Sequence, residues 1–232
     1  MPDYLSMDMM FKNERVKSGF IKSIYQQIID AGFDFFGEFY WEGDEPAFIR
    51  STLEDISNWN QTHLEDRLRL SFPEEDDRYK QILFKREGYS EIRGIWSDFN
   101  RHLKFYIIVP EEDVLFYNKD VYYIEHKITP FILLAKNLWE NGLVDAVQTE
   151  TEYDDPLYNF NDIKTGRNIR FRPFAIISKR NYEKFPKNYF IEANLSEISN
   201  NGIYIENSSS IVKEPDPKIL AKKSRYRRVE HL

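Results

Sequence analysis

The sequence predicts an α+β fold, on three observations. Apolar residues recur with helical spacing through about the first hundred positions, β-branched and aromatic runs take over from Lys104, and one well-capped helix interrupts those runs at 129–142. With 232 residues, 41% hydrophobic and 16% aromatic, the chain is long enough to bury a sizeable core. The expected organisation is one domain over 1–212, with a helical part at 1–103, a sheet-containing core at 104–212 and a basic tail at 213–232.

In chain order, Val16, Phe20, Ile24 and Ile28 mark a helix over 14–31, stopped by Gly32. Phe33 to Trp41 is an aromatic run that suits either a strand or a buried loop. Asp44-Glu-Pro-Ala starts a second helix through Phe48, Ile49, Leu53 and Ile56, ending near Trp59, and His63 to Leu70 adds a further helical piece. Glu74-Glu-Asp-Asp77 lies in a charged loop, and helices are expected over 77–85 and 90–103. Lys104 to Val109 reads as a strand. Asp113–Tyr117 and Val121–Lys127 form a hairpin around Asn118-Lys119-Asp120. Thr129 caps the best-defined helix, Pro130 takes its first position and Gly142 stops it. Strands are expected at 143–147, 171–178, 189–194 and 202–206, with a polar, acidic loop over 149–170 that has room for a short helix. The expected sheet is mixed, with the hairpin central and the helix packed on it.

Composition excludes several classes. There are no cysteines, which removes disulfides and thiolate chemistry and suits the cytoplasm. Four histidines without HExxH spacing make a histidine zinc site a poor fit. No run of about 18 apolar residues predicts a membrane span, and the first residues do not read as a signal peptide. Net charge is −7, yet 213–232 carries seven Lys/Arg against three acids. Lys222, Lys223, Arg225, Arg227 and Arg228 can therefore reach for phosphates or an acidic partner, although a solvated terminus would look the same.

The hairpin carries the catalytic expectation. Alternation puts Glu125 and Lys127 on one face of the second strand, and the turn brings Asp113 to the same end. Two carboxylates can hold Mg²⁺, with the His126 carbonyl supplying a further oxygen, while Lys127 orients a water and offsets charge on a phosphorane-like transition state. The His126 side chain points the other way and is expected to pack in the core.

This arrangement resembles the PD-(D/E)XK nuclease superfamily. Asp113 matches the motif aspartate, Glu125 the second acid and Lys127 the lysine, and the helix to Gly142 followed by Leu143–Val147 matches the order that comes next. Over roughly 104–178 the chain looks like the core of type II restriction endonucleases. The resemblance implies Mg²⁺-dependent DNA cleavage by a homodimer. In that case Asp113→Asn, Glu125→Gln and Lys127→Ala abolish cutting while leaving the melting temperature unchanged or raised.

A surface hairpin with solvated charges has the same sequence. The rival reading is a non-enzymatic protein-binding or assembly protein, either a phage or virion component or an acidic immunity or inhibitor protein. The net charge of −7 fits that reading better. The aromatics from Phe33 to Trp41 suit either a core or a binding surface.

Overall fold

The computed structural model describes residues 3–42, 45–70, 79–98, 102–117, 121–151 and 160–212. The fold is α+β. Ten strands form one antiparallel sheet: β1 (Tyr4–Phe11), β2 (Asp34–Glu42), β3 (Glu45–Ile49), β4 (Gln81–Lys85), β5 (Ile92–Ser97), β6 (Leu103–Pro110), β9 (Ala146–Thr151), β10 (Phe174–Ser178), β11 (Asn194–Ile198) and β12 (Gly202–Glu206). Their order is β11-β12-β10-β9-β1-β6-β5-β4-β2-β3. A small second sheet joins β7 (Leu115–Tyr117), β8 (Val121–Ile124) and β13 (Ile211–Val212).

Three helices pack on one face: α1 (Phe20–Asp30), α2 (Leu53–Arg69) and α4 (Glu125–Glu140). Phe20, Ile24 and Ile28 of α1 and Phe131, Leu134 and Leu138 of α4 meet Met7, Met9, Phe105 and Ile107, all buried in one apolar cluster. Polar groups tie α2 to the same layer. The Tyr25 hydroxyl, on α1, accepts from Asn60 Nδ2 and Trp96 Nε1 at 2.8 Å each, and Arg67 pairs with the fully buried Asp98 at 2.6 Å. Burial pushes the Tyr25 phenol well above its ordinary pKa. On the opposite face, a second cluster packs Met10, Ala146, Ile177 and Ile203 against Phe160, Ile163, Phe185 and Phe190. These last residues come from α5 (Phe160–Thr165) and from the segment after α6 (Lys179–Tyr182).

The structure corrects several expectations. A single sheet carries both parts of the chain, so the division near 103 does not separate helices from strands. Its central strand β1 carries Leu5, Met7, Met9 and Phe11 on the helix-covered face. The expected helix over 14–31 starts only at Phe20, because Gly19 adopts a φ of 75° outside the helical region. Residues 45–49 form β3 rather than a helix, and α2 begins after Thr52, whose side chain forms a capping box with Asp55. Pro46 is tolerated because β3 is an edge strand. The expected helices over 77–85 and 90–103 are β4 and β5: Ile82, Phe84, Ile92 and Trp96 face the helices at a period of two. The well-capped helix starts four residues early, at Glu125, so Pro130 lies inside it and Thr129 donates to the Glu125 carbonyl (2.8 Å) instead of capping an N-terminus. The strand at 143–147 is β9, displaced to 146–151, and residues 189–194 lead into β11.

Candidate functional site

The predicted hairpin exists. Strands β7 and β8 pair antiparallel, Leu115 opposite Tyr123, so the register carries residues 113 and 125 to its open end. Its turn, 118–120, lies outside the described residues, as does the basic tail with Lys222, Lys223, Arg225, Arg227 and Arg228. None of the three predicted catalytic residues is in a strand. Asp113 belongs to the single helical turn α3 (Glu111–Val114), and Glu125 and Lys127 open α4. The strand alternation expected to align Glu125 with Lys127 therefore does not apply. His126 is exposed rather than packed in the core.

What Asp113 and Lys127 share is the turn between β4 and β5. Asp113 Oδ2 accepts from the Ser90 backbone N–H and from its hydroxyl, both at 2.7 Å. Lys127 Nζ donates to the Gly88 carbonyl and lies 5.0 Å from the centroid of the Tyr89 ring. In return the Tyr89 hydroxyl donates to the Lys127 carbonyl at 2.6 Å. Gly88 has a φ of 87°, and a Cβ there would sit 2.6 Å from Lys127 Nζ, so the lysine's approach requires glycine. Burial, with the Asp113 charge adding to it, pushes the Tyr89 phenol up to about 12. A cation held by Asp113 and Glu125 would have Asp113 Oδ1 to use, since Oδ2 already accepts two hydrogen bonds, and among the described residues no group of three carboxylates or imidazoles gathers.

A different surface stands out at the end of the sheet. Phe36 and Phe48 are each 39% exposed and Ile49 is 42% exposed. The two rings stack with centroids 4.7 Å apart, and Lys85 Nζ lies 3.1 Å from the Phe36 centroid. The stack depends on Gly37. It follows a register shift in β2, adopts a φ of 155°, and leaves the space that the Phe48 ring fills. Beside the pair a groove of about 230 Å³ is lined by Phe39, Ala47, Leu83 and Phe84. The outer edge of β3 has no partner strand among the described residues. The aromatic density of 33–41 is the sequence signal for this patch. What it could not show is that Phe33 and Phe39 turn inward while Phe36 turns out.

No known protein family matches the chain, and no curated protein does. Among solved structures it is similar to the Pseudomonas aeruginosa T6SS protein PA0821, with 6% identity over 88% of this chain and 68% of that one, and a TM-score of 0.41. A likeness this distant carries no argument about activity. No helix among the described residues is long and apolar enough to cross a membrane.

Proposed function

We propose that this chain is a non-enzymatic, acidic protein-binding protein, of the inhibitor or assembly type, which engages a basic partner partly through the β2–β3 edge. The supporting observation is the stacked pair Phe36–Phe48, left in water together with Ile49 at an unpaired sheet edge. Burying such rings on a partner removes apolar area from water and places rigid aromatic anchors in the contact. The open edge of β3 offers backbone groups to an extended partner segment. A net charge of −7 speeds encounter with a cationic protein and disfavours an acidic one. The test is a photo-crosslinking residue at Phe48 in cells of the natural host. The expected result is a discrete adduct with a basic protein, competed by unlabelled wild type and not by Phe36→Ser/Phe48→Ser. An adduct that the double variant competes equally well, or no adduct, contradicts the reading.

A second reading is Mg²⁺-dependent DNA cleavage by Asp113, Glu125 and Lys127, with a homodimer acting on two strands. Its support is the β7–β8 register, which leads residues 113 and 125 to one end of the hairpin. Plasmid cutting that needs Mg²⁺ and is lost in Asp113→Asn, Glu125→Gln and Lys127→Ala would put this reading in place of the first.

A further inference from the structure

A cleft of about 560 Å³ opens where the end of α4 meets α5, α6 and the β11–β12 turn. Its lining includes five cationic side chains, Lys12, Arg15, Lys164, Arg180 and Lys184, against two carboxylates, Glu140 and Asp145. On an acidic chain this is a local reversal of sign.

Two of the cations share one carboxylate from within the cleft. Asp145, whose side chain is 4% exposed, accepts from Arg15 Nε (2.6 Å), Arg15 Nη2 (2.8 Å) and the Lys12 backbone N–H (2.8 Å), and Lys12 Nζ stands 3.0 Å away. Burial alone would raise the Asp145 carboxyl. The Arg15 hydrogen bonds and the Lys12 donors outweigh it and hold the group below its ordinary 3.8. The other three cations have no carboxylate partner among the described residues. Lys164 Nζ sits 4.3 Å from the Phe160 centroid, Lys184 Nζ donates to the Lys164 carbonyl, and Arg180 is exposed. His102, packed edge-on against Phe160, has its pKa lowered chiefly by burial, with the Lys164 and Lys104 charges adding to it and Asp162 opposing.

Going beyond the protein-binding reading, we propose that this cleft binds a small phosphate-bearing molecule, its phosphate groups held by Lys164, Arg180 and Lys184. Three like charges around one cavity repel one another, and a polyvalent anion relieves that repulsion where a single carboxylate would leave charge over. Ser178 and Asn181 also line the space and offer polar groups for phosphate oxygens. Trp139, Val144 and Phe160 give it an apolar wall for the organic part, and the volume is that of an ordinary small-molecule site.

The experiment is calorimetric titration of the full chain with pyrophosphate, with ADP and with adenosine, at about 0.15 M ionic strength, where exposed charges are screened. Pyrophosphate and ADP bind saturably and adenosine does not. The Arg180→Ala/Lys184→Ala variant, whose two sites are exposed and whose melting temperature stays at the wild-type value, weakens binding at least tenfold. Lys164→Ala weakens it as well. Equal affinity for pyrophosphate and ADP makes the free anion the occupant and still supports the site. No saturable binding of either, or binding that the double variant leaves unchanged, overturns the proposal.

Discussion

Two charged regions of this molecule invite opposite readings. Around the β4–β5 turn, Asp113 and Lys127 look functional in sequence, yet both are engaged: one holds Ser90 and the other holds Gly88. In the cleft at the end of α4, five cations drawn from near residues 12, 164 and 180 look unremarkable in sequence. There only two of them, Lys12 and Arg15, meet a carboxylate, and they share the single charge of Asp145. What separates the two is convergence: in the cleft three cations without a carboxylate partner among the described residues line one cavity, whereas at the turn one acid and one lysine each hold a different residue, and sequence spacing reveals neither.

The sharpest way to break this contrast is at Asp145, which should matter structurally more than any residue of the turn. Asp145→Ala leaves Arg15 without its bidentate partner and costs about 3 kcal/mol, which lowers the melting temperature by roughly 6–12 °C in a chain of this size. The pH dependence has a definite sign. The native carboxyl titrates below the 3.8 of the unfolded chain, so its stabilisation is complete above about pH 4 and is lost as pH falls through the lowered native value. Stability curves of wild type and Asp145→Asn should therefore differ at pH 7 and converge in strong acid.

Gly88→Ala comes next. It forces a side chain into a φ of 87° and against Lys127 Nζ, at a cost of about 1–2 kcal/mol, read by chemical denaturation. The smallest effect per residue is expected at the sheet edge. Phe36→Ser/Phe48→Ser should cost about 1 kcal/mol per ring, well below the roughly 3–5 kcal/mol of truncating a fully buried Phe, since each is already 39% exposed in the isolated chain. A large loss there would make the pair part of the core rather than a contact surface.

The legible parts of the fold were those whose local chemistry and tertiary setting agree. Residues 104–109 are β-branched and aromatic and become β6, and Gly142 ends α4 with a φ of 65°. Strand β1 carries the alternation Leu5-Ser6-Met7-Asp8-Met9, but the pattern is short, and Met10, buried on the opposite face, breaks it. Thr129-Pro130 imitates a helix beginning, so the local sequence points to a start four residues later than the Glu125 at which α4 begins. The hairpin was legible, but its chemistry was not, since Ser90 lies 23 residues from Asp113 and Gly88 lies 39 from Lys127. For the cleft, the one local hint is an aspartate, Asp145, set in the apolar run Leu143–Val147, since a buried acid needs a partner.

Thermal melting of Asp113→Ala, run beside a plasmid assay with and without Mg²⁺, addresses most directly the claim that the turn's charges are structural. Two hydrogen bonds from Ser90 to a carboxylate, half-exposed to solvent, are worth about 1–2 kcal/mol together. The melting temperature should therefore fall by roughly 2–8 °C, with no Mg²⁺-dependent cutting in either protein. A melting temperature unchanged or raised, with cutting present in wild type and lost in the variant, would make Asp113 a catalytic carboxylate and contradict the account.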